Sequence, residues 1–136
     1  MMTTTWAPRA LSILRIMAGL LFMAHGTQKL LGFPASADAA GGPLPPMMMA
    51  AGIIELVTGI LIAIGLFTRP AAFLASGLMA FAYFIAHAPQ SFFPVLNGGD
   101  AAVLFCFVFL YLAAAGGGEW SIDAARNRGA GDRRTI

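Results

Sequence analysis

Residues 47–88 read MMMAAGIIELVTGILIAIGLFTRPAAFLASGLMAFAYFIAHA, and this stretch contains two apolar segments joined by the link FTRP. The first segment runs from about Met47 to Phe67 and the second from about Ala71 to Ala88. A helix needs roughly 20 mostly apolar residues to cross a bilayer, because its backbone groups find no water there and must bond within the helix. Both segments approach that length, and the link is too short for anything but a reversal. The stretch therefore predicts an antiparallel pair of membrane-spanning helices.

Two further apolar segments flank this pair. One runs from about Ala10 to Leu31, and the other occupies about residues 99–116 around the run AAVLFCFVFLYLAAA. Glycine and proline lie between neighbouring segments, where helices usually begin and end. We therefore predict an all-α fold, an integral membrane four-helix bundle formed by a single transmembrane domain over residues 1–136, in which residues 119–136 are a basic tail.

The composition is typical of a chain embedded in lipid. Hydrophobic residues make up 59% of the 136 residues and charged residues only 10%, unlike a typical soluble domain. The formal net charge is +2, but the arginines are too few and too scattered for a nucleic-acid surface. The single cysteine, Cys106, lies within an apolar run, so the chain has neither an intramolecular disulfide nor a C-x-x-C pair. We expect the lipid bilayer to be the main partner of the chain, and we exclude nucleic acid as a partner.

The arginines indicate the orientation, because arginine and lysine are enriched in the cytoplasmic loops of membrane proteins. Because the helix directions alternate, Lys29 is the only arginine or lysine on one side of the predicted bundle. The other side of the predicted bundle holds Arg9, Arg15, Arg69, Arg126, Arg128, Arg133 and Arg134. We therefore expect both termini in the cytoplasm and, in a bacterial host, insertion in the inner (plasma) membrane.

A different interpretation makes the first segment a signal peptide. Ala35, Ser36 and Ala37 form the A-x-A pattern that precedes a cleavage site. Gln28 and Lys29, however, would interrupt the approach to that site. We therefore expect the first helix to be retained.

Most polar side chains of the segments fall at one level of the bundle. A helix rises about 1.5 Å per residue, so depth can be counted from the end of each segment. Ionisable groups are costly in hydrocarbon and tend to face the bundle interior in pairs. We therefore predict one polar centre in the outer half of the membrane. Its predicted catalytic residues are Glu55, His25 and His87, and its predicted ligand-binding residues are Gln28, Lys29, Asn97 and Asp100.

Helical spacing supports this polar centre. His25 and Lys29 are four residues apart, so they share a face of the first helix. In the second helix Gly52, Glu55 and Gly59 share a face. Small residues allow helices in a membrane to approach closely. The spacing therefore predicts a carboxylate at a close helix contact.

The polar residues also have purely structural interpretations. Glu55 can serve only to pair two helices, Lys29 can extend from a helix end into the headgroup region, and Asp100, which follows NGG, can cap the fourth helix. The two histidines can be interior residues with satisfied hydrogen bonds. A metal site is not predicted, because neither an H-x-x-x-H nor an E-x-x-H motif occurs.

Four motifs follow one another in a specific order: HGTQKLLGF, AGIIELVTGILIAIGLFTRPAA, MAFAYFIAHAP and LNGGDAAVLFCFVFLYLAAAGGGEWSID. In this order and spacing they resemble the DoxX family of small four-helix membrane proteins, and they cover nearly all of the chain except its tails. Asp100 stands where glutamate is common in the family. The family motif falls here on His25, Gly26, Gln28, Lys29, Gly32, Glu55, Thr68, Arg69, His87, Asn97, Gly98 and Gly99.

The family is similar in organisation to the small subunit of thiosulfate:quinone oxidoreductase, and its members are linked to quinone metabolism and oxidative-stress complexes. The resemblance implies a redox-associated membrane subunit and leaves its cofactor open, with a quinone as the candidate. It also implies other subunits of a membrane complex, or copies of the same chain, as partners. Distant four-helix relatives with vitamin K epoxide reductase-like chemistry use a cysteine pair, which this chain lacks.

These patterns leave three hypotheses for function. In the first, the polar centre binds a quinone or quinol head group, with Glu55 exchanging a proton, and the chain is part of a quinone-linked oxidoreductase. In the second, the same residues lock the helices of a non-catalytic accessory subunit of a larger membrane complex. The third, which we rank lowest, is proton-coupled transport of a small solute, because four helices with small-residue contacts leave little room for alternating access.

Overall fold

The structure is a computed structural model that describes residues 3–36 and 42–132. Those residues form helices and connecting loops, with no β-strand among them. The elements are α1 (Thr3–Leu31), α2 (Pro46–Ile64), α3 (Thr68–Ala82), a π-helical turn (Tyr83–His87) that continues α3, α4 (Pro94–Asn97), α5 (Asp100–Ala115) and α6 (Ile122–Asp132). Ala37 of the A-x-A pattern and Arg133 and Arg134 of the basic tail lie outside the described residues.

Three helical stretches are long and apolar enough to cross a membrane by length and composition, namely Thr5–Leu31, Pro46–Ile64 and Thr68–His87. The helix α5 is equally apolar but has only 16 residues. The predicted all-α fold is confirmed, with helices compatible with a membrane bundle. The side of the membrane on which the termini lie stays a prediction.

The helices extend beyond the apolar segments. The helix α1 begins at Thr3 rather than near Ala10, and α6 occupies most of the region expected to be a basic tail. Hydropathy marks only the part of a helix that is apolar, so polar turns at its ends escape it. The helix α6 begins with a local cap, since the Ser121 hydroxyl accepts a hydrogen bond from the Ala124 amide at 3.1 Å.

The bundle consists of two helical hairpins, in which α1 packs along α2 and α3 packs along α5. Glycine allows the backbones of the first hairpin to approach closely. A Cβ atom added to Gly26 would lie 2.6 Å from the Leu56 nitrogen, and one added to Gly59 would lie 2.7 Å from the Met23 nitrogen. Gly52, like Glu55 and Gly59, is buried at this contact. The predicted close contact on the Gly52–Gly59 face of α2 is confirmed.

The hairpins meet around a small apolar core. Phe22 of α1 lies edge-on to Phe109 of α5, with ring centroids 4.7 Å apart, and both side chains are fully buried. Ile62 and Leu112 complete the core on α2 and α5. Many large apolar side chains on the outer faces are exposed, as expected where lipid replaces water around a bundle.

Candidate functional site

Lys29 and Glu55 form a direct ion pair between α1 and α2. The Lys29 ammonium lies 2.6 Å from each carboxylate oxygen of Glu55, and Glu55 is only 3% exposed. The pair forms because Gly26 and Gly52 allow the two helices to come close just beside it. A buried carboxylate is tolerated when a cation and hydrogen bonds compensate it. Both carboxylate oxygens are bonded to Lys29, whereas the ammonium, on a side chain that is 23% exposed, keeps one of its three N–H donors outside the pair.

His87 and Asn97 form a second group, which fastens the loop between α3 and α5. The His87 Nδ1 atom lies 3.0 Å from the Asn97 carbonyl oxygen. The buried Asn97 amide donates to the Ser91 carbonyl at 2.9 Å and to the Tyr83 hydroxyl at 3.2 Å, and its Oδ1 accepts the Gly99 amide at 2.8 Å. This network satisfies the Asn97 side chain completely, so it is organised to hold a loop.

Gln28 and Asp100 lie at the edges of the predicted centre. Gln28 donates to the Pro34 carbonyl at 3.2 Å in an exposed local contact. Asp100 is exposed and occupies the first turn of α5, whereas Gly99 is the N-cap residue and no side chain caps the helix. Asp100 is therefore the first residue of α5 and not its N-cap, so the interpretation of Asp100 as a cap is wrong by one position. Its carboxylate still lies where a helix N-terminus favours negative charge.

His25 faces a different neighbour from Lys29. Its ring is exposed on α1 and lies edge-on to Phe105 of α5, with centroids 6.0 Å apart. Among the described residues, no hydrogen bond or ion pair joins His25 to Lys29, Glu55 or His87. The contacts of the seven predicted site residues therefore fall into separate groups rather than one cluster.

An apolar groove runs between α1 and α5 beside His25. It encloses about 330 Å³ and is lined by Leu14, Met17, Ala18, Leu21, Ala101, Leu104, Phe105 and Val108. His25 does not line the groove itself, but it lies one turn beyond Leu21 on α1 and its ring contacts Phe105, which does line the groove. Its imidazole is therefore adjacent to one end of the groove. Sequence reasoning missed the groove. The spacing of Leu14, Ala18, Leu21 and His25 was the available signal.

Arg15, which was not among the predicted site residues, is buried at the opposite end of the bundle. It is 0% exposed, and its guanidinium donates to four backbone carbonyls. These are Gly117 at 2.7 Å, Ile62 at 2.7 Å, Ala63 at 2.5 Å and Trp120 at 2.6 Å. Since Ile62 and Ala63 belong to the last turn of α2, the side chain joins α1, α2 and the loop after α5.

Asp123 of α6 caps the N-terminus of α3. Its two carboxylate oxygens accept the amides of Phe67 and Thr68, each at 2.9 Å. Partial burial alone would raise the pKa of the Asp123 carboxyl, but these hydrogen bonds and the nearby Arg126 guanidinium outweigh it and lower the pKa below its ordinary value. The cap also explains how Phe67, with a φ of 49°, is held in the left-handed region.

These groups differ in what they can do chemically. The Glu55 oxygens and the Asn97 side chain are engaged by protein atoms, whereas neither ring nitrogen of His25 has a hydrogen-bond partner among the described residues. The His25 imidazole is therefore available as a hydrogen-bond donor or acceptor. Within residues 3–36 and 42–132, no three His, Cys, Asp or Glu side chains lie close enough together to hold a metal ion. The strongest candidate for a ligand site is therefore the His25 end of the groove.

Comparison with known proteins agrees with the resemblance noted from the motifs. The sequence model of the DoxX family matches residues 10–88, which include His25, Lys29, Glu55 and His87. An uncharacterized protein of Haemophilus influenzae is 43% identical over 122 residues, covering 87% of this chain and 91% of that protein. No solved structure matches the chain significantly. Because the family match spans more than half of an all-helical, strongly apolar chain, the protein is an integral membrane protein that belongs to the DoxX family.

Proposed function

We propose that this protein is a redox-associated membrane subunit that binds the head group of a lipid-soluble quinone or quinol at the His25 end of the α1–α5 groove. One observation carries the proposal: an imidazole with no hydrogen bond to the described residues contacts Phe105, which lines a groove walled by apolar side chains alone. Such a groove suits a hydrocarbon tail, and the imidazole suits a carbonyl or hydroxyl.

The head group would rest against His25 and Phe105. An imidazole N–H can donate to a quinone carbonyl, and an unprotonated ring nitrogen can accept from a quinol hydroxyl. The Phe105 ring already lies edge-on to His25 and stacks on Phe109, so it offers a flat apolar wall beside the head group. The chain would supply binding and proton transfer, while a partner subunit would supply or remove the electrons.

Lys29 and Glu55 have a supporting role in this proposal. Both oxygens of Glu55 are already bonded to Lys29, which lies one turn beyond His25 on α1. The ion pair fixes that turn of α1 against α2 and so fixes the direction of the His25 side chain. The direct ligand contact is therefore assigned to His25, and proton exchange by Glu55 would require the pair to open.

The experiment measures the binding of decylubiquinone to the purified full chain in detergent. The readout is the shift in melting temperature. We expect Leu21→Trp to abolish the shift, because Leu21 lines the groove. Leu20→Trp is the matched control, since Leu20 is an exposed neighbour outside the groove. His25→Ala should weaken binding about five-fold, as expected for the loss of one hydrogen bond worth about 1 kcal/mol. Equal behaviour of the two tryptophan variants would contradict the proposal.

A second candidate function is that of a non-catalytic accessory subunit of a larger membrane complex. The direct Lys29–Glu55 pair favours it, because a closed ion pair acts as a lock between helices rather than as a ligand site. In that case Glu55→Gln should lower stability or assembly without changing decylubiquinone binding. Absence of any decylubiquinone effect on the unmodified chain would favour this function over the first.

A further inference from the structure

A second, larger cavity lies at the end of the bundle that holds Arg15, here called the basic end. It encloses about 750 Å³, far from His25, under α6 and beside the loop that joins α5 to α6. Charged, polar and glycine residues contribute much of its wall. The wall includes Phe67, Thr68, Arg69, Gly116, Asp123 and Arg126. Neither the quinone proposal nor the ion pair uses this cavity.

Arg69 lines the cavity, and part of its guanidinium has no hydrogen-bond partner among the described residues. Its Nη1 donates to the carbonyls of Ala113 and Ala114, and its Nη2 donates to that of Ala115 at 3.5 Å. This leaves the Nε hydrogen and one Nη2 hydrogen without an acceptor among the described residues. A Cβ atom added to Gly116 would lie 3.4 Å from Nη2 and 3.6 Å from Nε. The missing side chain of Gly116 therefore keeps this two-donor edge accessible.

Arg126 supplies a second cation. Its guanidinium carbon lies 5.3 Å from the centre of the Phe67 ring, which holds the side chain at the cavity without using its N–H donors. Asp123 also lines the cavity, but its carboxylate is bonded to the Phe67 and Thr68 amides. The cavity wall therefore carries two guanidinium groups and one carboxylate, so its net charge is positive. Such a pair of planar donors matches the oxygens of a phosphate group.

The cavity lies at the height of lipid headgroups. Its walls come from the first residues of α3 and the residues after α5, which are the ends of apolar helices. Phe67 and the neighbouring Trp120 are 53% and 52% exposed, as is typical of aromatic side chains at a membrane surface. A phosphate in this position would be attached to a lipid whose acyl chains lie along the bundle.

We propose that the cavity at the basic end binds the phosphate of an anionic phospholipid, with the Nε–Nη2 edge of Arg69 and the guanidinium of Arg126 as its ligands. Binding would join α6 to the membrane surface and to the α3–α5 hairpin. The proposal is independent of the quinone site, because no residue lines both cavities.

The test uses the full chain in detergent micelles and dihexanoyl phosphatidylglycerol as the probe. Dihexanoyl phosphatidylcholine tests the need for negative charge, and inorganic phosphate tests the need for a lipid. Calorimetric titration and melting temperature are the readouts. We expect saturable binding and a higher melting temperature with phosphatidylglycerol, and at least five-fold weaker binding of the other two probes.

Arg126→Gln and Arg128→Gln form the matched pair of variants. Both remove one positive charge from α6, but only Arg126 lines the cavity. Arg126 makes no hydrogen bond that α6 needs, so the variant should fold. We expect Arg126→Gln to weaken phosphatidylglycerol binding at least five-fold and Arg128→Gln to weaken it less than two-fold. Equal losses would show only general charge attraction. Equal binding of inorganic phosphate, or of phosphatidylcholine, would likewise overturn the assignment to an anionic lipid.

Discussion

The guanidinium of Arg15 lies 2.7 Å from the carbonyl oxygen of Gly117, a residue 102 positions later in the chain. Together with three further carbonyl acceptors, this contact fixes α1 to the end of α2 and to the loop after α5. Helix ends leave carbonyls without partners, and here one cation serves several of them. A charge buried in this way stabilises the bundle only while all of its partners are present.

Substitution of Arg15 should therefore destabilise the protein strongly. Arg15→Lys keeps the charge but loses the planar fork, so we expect a loss of about 3 kcal/mol in the free energy of unfolding. Arg9→Lys is the control, because Arg9 makes a solvent-accessible ion pair with Glu119 at 3.5 Å and a cation–π contact with Trp6 at 5.5 Å, both of which a lysine can keep. It should cost less than about 1 kcal/mol. Denaturant unfolding in mixed micelles gives both values. Similar losses for the two variants would contradict this account.

Removal of either partner of the Lys29–Glu55 pair should have unequal effects. In Lys29→Met the carboxylate stays buried without a cation, and we expect a loss of about 3 kcal/mol. In Glu55→Gln the ammonium can turn toward the headgroup region, because the Lys29 side chain is 23% exposed, so the loss should be about 1.5 kcal/mol.

The double variant Lys29→Met, Glu55→Gln completes the cycle. It removes both charges, so we expect it to be more stable than Lys29→Met alone. Thermal unfolding of the four proteins in the same detergent measures the coupling. If the stability loss of the double variant equalled the sum of the two single losses, the two side chains would act independently.

Gly26→Ala should weaken the α1–α2 contact. The added Cβ would lie 2.6 Å from the Leu56 nitrogen and 2.9 Å from the Gly52 carbonyl oxygen. Backbone atoms cannot turn aside, so the helices must separate, at a cost of about 2–3 kcal/mol. Gly77→Ala is the control, because no atom lies within 4 Å of the added Cβ, and it should leave the melting temperature unchanged or higher. A Gly26→Ala protein as stable as the Gly77→Ala protein would refute the close contact.

The Asp123 cap should make stability depend on acid pH. Its pKa is lower in the folded protein than in the unfolded chain, so its contribution is present at neutral pH and is lost as the pH falls from about 4 through the folded value. At pH 7 we expect Asp123→Asn to be less stable by about 1 kcal/mol. The difference in melting temperature should shrink as the pH falls to 3. Asp100→Asn, whose carboxylate caps no helix in this way, should show a smaller effect at pH 7.

The sequence was sufficient to predict the level of the polar residues but not their directions. Counting depth along each helix placed Lys29 and Glu55 in the same half of the bundle, and the structure pairs them. Four residues on a helix with 3.6 residues per turn differ by about 40° in direction, however. That rotation is enough for Lys29 to face α2 while His25 faces Phe105 of α5. Only the packing of the two hairpins decides which neighbour each face meets.

Arg15 and Asp123 escaped sequence reasoning for a different reason. Arginines near helix ends indicate orientation, so the pattern gave no sign that Arg15 would be buried. Its acceptors are backbone carbonyls, which every residue type carries and no motif marks. Asp123 likewise caps a helix that begins 55 residues earlier. Caps supplied across such a distance follow from tertiary structure alone.

The position of these acceptors along the chain has a consequence for biosynthesis. Arg15 is synthesised 102 residues before Gly117 and 105 residues before Trp120, which are two of its four carbonyl partners. The α3 cap at Asp123 comes later still. A nascent chain that has reached residue 116 contains all its apolar segments but only the Ile62 and Ala63 acceptors, so Nε and Nη2 of Arg15 still lack their partners. A chain truncated after residue 116 keeps that defect permanently. Such a truncated chain offers cellular quality control a buried charge to recognise.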